Sequence, residues 1–205
     1  MRRSRESILA AAEAYYSTHD IDPTMAQLAQ LAGVGSATLY RRFPSIDDVI
    51  REVYGRLIGE LQELEPIVMA QTSGWDAIVA VVVGIVEFLD VHPAVQRLNR
   101  KVIALDNDQR LTNQFEGSLD RIVQWAQAEG SLRTDVNAND ITIAAFRISY
   151  ANLPPDERDR ILGRQVGIML DGLRADGRRT PLPGGPISTS DLQQIFRYEI
   201  ENPIG

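Results

Sequence analysis

Apolar residues return every three or four positions along most of this chain, and no stretch alternates long enough to build a sheet. The pattern predicts an all-α protein. Ile8, Ala11, Ala12 and Tyr15 mark a first helix over about 4–17. Met25, Leu28, Ala29 and Ala32 share one face of a short second helix, and Leu39 and Phe43 lie one turn apart on a third. Ser45 with Asp48 opens a long helix carrying Val49, Ile50, Val53, Leu57, Leu61 and Leu64. Its expected stop is Glu65-Pro66, because proline disfavours helical backbone at the residue before it. Further helices are expected over about 74–90, 93–104, 108–129, 138–151 and 155–175. Asn137 with Asp140, and Pro155 ahead of Asp156-Glu157, act as starts; Gly130 and Gly177 act as stops. Residues 178–186 have the composition of a linker, and Leu192, Ile195, Phe196 and Ile200 suggest a short amphipathic tail helix.

The stretch from Thr24 to Pro44 is the most specific. Thr24 and Gln27 have capping-box spacing ahead of the second helix. Gly33 stands where that helix must end in a left-handed residue, and Val34 is the apolar residue that pins the turn to the core. Gly35 or Ser36 then starts a third helix with Leu39 and Phe43 inward. Ser36, Ala37, Thr38, Tyr40 and Arg41 are left outward. Two short helices across a glycine turn form a helix-turn-helix, whose second helix fits a DNA major groove. Small side chains near its start reach base edges, while Tyr40, Arg41 and Arg42 are placed for phosphates. A purely structural helical hairpin is the competing reading.

At these residues the chain resembles the TetR family of transcriptional regulators. The shared positions are Ala32-Gly33-Val34, Thr38-Leu39-Tyr40, Phe43 and Pro44-Ser45. Four positions depart from the family pattern. Gly35 replaces a capping serine, Ser36-Ala37 replaces Lys-Gly, Ile46 stands for a phosphate-binding lysine, and Asp20 stands where a glycine closes the first helix. Losing two lysines implies fewer phosphate contacts, or compensation by Arg2, Arg3 and Arg5. The resemblance extends at lower specificity through His92-Pro93, residues 129–136 and residues 170–174. It implies a reading domain over 1–46, an effector-binding and dimerising helical domain over 47–177, and a linker with a short helix over 178–205. It also implies a homodimer on a near-palindromic DNA operator, acting as a repressor released by a small, largely apolar effector. The expected DNA-binding residues are Thr24, Gly35, Ser36, Ala37, Thr38, Tyr40, Arg41 and Arg42.

Composition narrows the rest. A chain of 205 residues buries about 70% of its unfolded surface, enough for a substantial core. The absence of cysteine excludes disulfides, thiolate zinc sites and a cysteine nucleophile, and two histidines make a transition-metal site a poor expectation. No secretory signal is visible, and the apolar run over 77–89 is too short to span a bilayer, so cytoplasmic residence without membrane association is expected. Net charge is -7, which by itself argues against nucleic acid. Operator binding depends on the local face instead, and Arg2, Arg3, Arg5, Arg41 and Arg42 are candidates for that face.

Trp75, Phe88, Phe115, Trp125, Phe146 and Met169 are candidates to line an effector cavity, with ordinary core as the competing reading. The helix over 138–151 is apolar on both sides, with Ile141, Ala144, Ala145 and Ile148 on one and Ile143, Phe146 and Tyr150 on the other. Such a helix needs a cover on each side. Arg147 between them should be paired or reach solvent, at a dimer seam or as an anchor for an acidic effector. Gly55 and Gly59 in the long helix suggest close packing or a softened segment that transmits effector binding. Nothing supports catalysis: no nucleophile with a base, no phosphate loop and no metal-ligand spacing, so no cofactor, catalytic or metal residue is expected. A helical interaction module that no longer binds DNA, and an enzyme on a helical bundle, remain the readings from other classes.

Overall fold

The computed structural model describes residues 2–105, 116–149, 156–176, 180–191, 194, 195 and 198. The helices among them are α1 Arg2–Tyr16, α2 Met25–Leu31, α3 Ser36–Arg42, α4 Ile46–Gln62, α5 Glu65–Met69, α6 Gly74–Val91, α7 Ala94–Leu105, α8 Glu116–Ala128, α9 Ala138–Ser149 and α10 Arg158–Leu173. The fold is all-α. Among the described residues the sheet-like pairing amounts to one antiparallel bridge, Leu132 with Arg174.

The expected starts are visible as reciprocal hydrogen bonds. The Ser45 amide donates to Asp48 Oδ2 at 3.1 Å, and the Asp48 amide donates back to Ser45 Oγ at 3.2 Å. Asn137 and Asp140 do the same at 2.9 and 3.0 Å. Ser73 and Asp76 form a further pair at the start of α6, where the Asp76 amide donates to Ser73 Oγ at 3.0 Å. Gly130 takes the left-handed backbone expected of a stop, with φ 75°. Pro66 corrects one expectation. It lies in the first turn of α5 and starts that short helix, because its missing N–H is one the first turn leaves unbonded anyway. The Pro155 start, the Gly177 stop, Tyr150, Phe115 and the tail positions Leu192, Phe196 and Ile200 lie outside the described residues.

The chain forms two compact units, residues 1–60 with 92–111 and 196–205, and residues 61–91 with 112–195. In the first, Ile8, Ala12 and Tyr16 of α1 join Leu28, Leu39, Val49, Val53, Leu57, Val95 and Leu98 in a core closed to solvent. Each such aliphatic side chain contributes about 1.5–3 kcal/mol by leaving water. A buried polar pair ties α4 to α7: the Tyr54 hydroxyl donates to Asn99 Oδ1 at 2.7 Å. In the second unit α6 is central, with Ala77, Ile78, Val82, Ile85 and Leu89 buried among α5, α8 and α9. Arg133 ties the connection between α8 and α9 to the end of α10, holding both carboxylate oxygens of Asp135 at 2.6 and 2.8 Å and the Gly172 carbonyl at 3.0 Å. No single described helix is long and apolar enough to cross a membrane.

Candidate nucleic-acid interface

The hairpin of α2 and α3 is built by short-range chemistry. The Thr24 amide donates to Gln27 Oε1 at 2.8 Å and the Gln27 amide donates to Thr24 Oγ1 at 3.2 Å, closing the capping box. At the other end Gly33 adopts φ 64°. The Gly33 amide donates to the Gln30 carbonyl at 3.1 Å and the Val34 amide to the Ala29 carbonyl at 3.0 Å. These are the two bonds of a Schellman motif, and they need that left-handed residue. Val34 is half-buried beneath the turn. Gly35 then caps α3 through its carbonyl, which accepts from the Thr38 and Leu39 amides at 2.9 and 3.1 Å.

The faces of α3 separate as the spacing predicts. Leu39 is fully buried and Phe43 nearly so. Gly35, Ser36, Ala37 and Arg41 are exposed, Tyr40 is 55% exposed, and Thr38 and Arg42 are half-buried. Arg41 makes no ion pair with any described residue. Thr24 is exposed, but its hydroxyl hydrogen goes to Gln27 Oε1 at 2.9 Å, so it is engaged in the cap. One short rod therefore carries two small side chains, a threonine, a tyrosine and an arginine on an open face.

The arginines expected to replace the missing lysines divide. Arg5 is paired with Glu52 of α4, and its guanidinium lies 5.9 Å from the Phe43 ring centroid. It staples α1 to α4, which is a structural use of the charge. The side chains of Arg2 and Arg3 lie outside the described residues. Charge also follows the division of the chain. The first unit has 12 cationic and 12 acidic side chains, whereas the second has 9 and 16, so all of the -7 sits in the second.

Sequence reasoning missed the partners of two acids next to the hairpin. Asp20 lies 3.2 Å from Arg97 Nε and accepts from Arg100 at 3.0 Å, while Asp22 lies 2.8 Å from Lys101 Nζ and accepts from the Tyr16 hydroxyl at 2.9 Å. Burial, and then that bond to Asp22, push the Tyr16 phenol well above its ordinary range. The available signal was three cations at i, i+3 and i+4 in a helix without acids; which carboxylates they meet is a tertiary fact.

The expected effector residues are spread along the second unit. Trp75 is half-buried at the start of α6, with the Arg174 guanidinium 4.3 Å from its ring centroid. Trp125 of α8 is half-buried close by, since its backbone abuts Gly74. Phe88 is half-buried 13 residues beyond Trp75 on the same helix, about 20 Å along the axis at 1.5 Å per residue. A compact ligand touching Trp75 does not reach Phe88. Phe146 is buried in α9 and Arg147 next to it is exposed, so that cation reaches solvent.

Residues 8–53 match the family described as bacterial regulatory proteins, tetR family, and residues 77–175 match the C-terminal domain of SbtR-like transcriptional regulators. Among solved structures, a TetR transcriptional regulator of Streptomyces coelicolor is 28% identical, with a TM-score of 0.56 over 83% of this chain and 98% of that one. The ketosteroid transcriptional regulator KstR2 of Mycobacterium tuberculosis is 16% identical, with a TM-score of 0.67 over 83% and 94%. A gamma-butyrolactone receptor described as ArpA-like is 14% identical, with a TM-score of 0.59 over 83% and 98%. These last two likenesses are of fold. No curated protein matches the sequence.

Proposed function

The chain belongs to the TetR family of transcriptional regulators, and we propose that it is a repressor that reads a near-palindromic operator as a homodimer. A regulator of this family is not an enzyme. The observation that carries the reading is the split of α3, with Leu39 and Phe43 sealed in the core and Ser36, Ala37, Tyr40 and Arg41 facing water. Ser36, Ala37 and Thr38 address base edges, because they lie at the start of the helix that enters the groove. Tyr40, Arg41 and Arg42 address phosphates, as does Gly35 at the start of α3; Thr24 joins them only by releasing its hydroxyl bond to Gln27. With two lysines missing, fewer counterions are released than a lysine-rich reader would release. The salt dependence of binding is correspondingly shallower.

The second copy docks on α9 and α10. Val166 and Leu173 are the buried apolar residues of α10, whereas Ile168 is 56% exposed with Gly163 and Gly167 open beside it. A four-helix contact with a twofold mate covers that face. The effector is small and largely apolar and binds in the second unit, against part of the set Trp75, Phe88, Trp125 and Phe146, since Trp75 and Phe88 are too far apart for one compact ligand to touch both. A protein of like fold bears the name of a gamma-butyrolactone receptor, which supports an effector of that size here. Release requires only that the effector favour one of two states by a few kcal/mol.

The test is selection of bound sequences from random duplex DNA by the purified protein. Recovery of a site with two related halves about one helical turn apart supports the reading. Recovery of no enriched sequence, with binding unaffected by salt, overturns it and leaves an interaction module in which α3 serves another partner.

A further inference from the structure

The connection between α1 and α2 has an unusual anchor. Thr18, His19, Asp20, Ile21 and Asp22 are all exposed, and Ile21, its apolar residue, is 80% exposed. Thr18 and His19 stay bonded to the Tyr15 carbonyl at the end of α1, and Pro23 is buried at the entry to α2. Between them, the exposed stretch from Asp20 to Asp22 is held by charge from α7. Asp20 meets Arg97 and Arg100, and Arg97 also donates from Nη1 to the Ser17 carbonyl at 3.1 Å. Asp22 meets Lys101 and the Tyr16 hydroxyl, and Lys101 Nζ lies 5.9 Å from the Tyr16 ring centroid.

The three cations are 24–27% exposed and their partners Asp20 and Asp22 63% and 41%, so this is a network on one face of α7 that is desolvated on the cationic side only. Isolated surface pairs contribute little, but shared partners and burial raise the worth of a network. The network also cancels two carboxylates that would otherwise repel phosphate close to the reading hairpin.

We infer that Asp20 and Asp22 are positioning residues for DNA reading, fixing the attitude of the α2–α3 hairpin by clamping its entry segment to α7. The inference rests on the chain being a DNA reader. It gives a use to Asp20, a position where the family pattern has a glycine that no cation can grip.

The experiment compares two neutralised variants, Asp20→Asn with Asp22→Asn, and Arg97→Gln with Arg100→Gln and Lys101→Gln, on DNA selected by the wild-type protein. Each should lose affinity by about tenfold, the equivalent of a few partly exposed ion pairs. The five changes together should lose clearly less than the sum of the two sets, because both sets remove the same ion pairs, the α7 set removing the Arg97 bond to the Ser17 carbonyl besides. Asp20→Glu with Asp22→Glu should recover most of the loss. A spin label on Gln30→Cys, a unique thiol in this cysteine-free chain, should show a broadened distance between the two readers of a free dimer in both neutralised variants. Unchanged affinity with an unchanged distance distribution overturns the inference, as do losses that simply add. Should the α7 variant fail to fold, the aspartate pair and its glutamate rescue decide the matter. Failure of the wild-type protein to select any DNA is a separate outcome, which removes the DNA reading itself.

Discussion

Gly74 is pressed against the backbone of Ala126: a Cβ on Gly74 would fall 2.5 Å from the Ala126 Cα and 2.6 Å from its nitrogen. The Gly74 amide also donates to Glu129 Oε2 at 2.7 Å, so α6 begins in contact with the last turn of α8. Backbone cannot step aside as a flexible side chain can. Gly74→Ala should therefore destabilise the protein by about 3 kcal/mol, the upper part of the overpacking range. Urea denaturation measures it, and a loss under about 1 kcal/mol would mean that α6 and α8 separate easily.

Gly59 in α4 behaves in the opposite way. A Cβ there meets nothing within 4 Å, so close packing within this chain does not require a glycine. Gly59→Ala should raise stability by up to about 1 kcal/mol through helix propensity alone. If the glycine softens α4 for signalling, the alanine variant also binds DNA but responds less to effector. Thermal melts with a DNA release assay separate the two effects.

Neighbouring residues on α3 should fail in different ways. Leu39→Ala empties a sealed site and should cost about 2–5 kcal/mol of stability. Tyr40→Ala and Arg41→Ala lie on the open face and should shift stability by no more than about 0.5 kcal/mol while weakening binding to every DNA sequence. Changes at Ser36 or Thr38 should alter base preference by about 1–3 kcal/mol at the affected positions. A mobility-shift series in which Tyr40→Ala loses nothing removes α3 from the groove.

The hairpin was readable because its determinants are local. Thr24, Gln27, Gly33, Leu39 and Phe43 each do what spacing and backbone preference demand, and the partners are within a few residues. Two later helices were readable for the same reason, α4 from Ser45 with Asp48 and α9 from Asn137 with Asp140. Pro66 was ambiguous, since a proline ends one helix and begins another by the same missing N–H. Gly74, Arg133 and Asp20 were not readable. Their roles depend on Ala126, Gly172 and Arg100, which only the folded chain brings near. The expected effector aromatics were named by residue type, and type does not say that Trp75 and Phe88 stand far apart on one helix.

Ile168→Glu should shift the protein toward the monomer, because it places charge on the face assigned to the twofold mate. Sedimentation velocity across a dilution series reads this directly. A variant that remains dimeric at every concentration moves the seam off α10.

Asp135 sets an acid limit. The bond from the Arg133 guanidinium, and then the Leu182 amide, hold its carboxyl well below the usual carboxylate range. A carboxyl depressed on folding adds stability above its unfolded value of about 4, and that stability fades as pH falls through the folded value. Melting temperature should decline on acidification below about pH 4, and Asp135→Asn should melt lower at pH 7 with a flatter acid limb. Superimposable profiles for the two proteins would assign the acid sensitivity elsewhere.

Because the reading unit is electrically neutral and the other carries the whole excess of acid, bulk chromosome exerts little pull on this molecule. Unrelated DNA should therefore compete only weakly with a target site, and one-dimensional sliding along the duplex should be short.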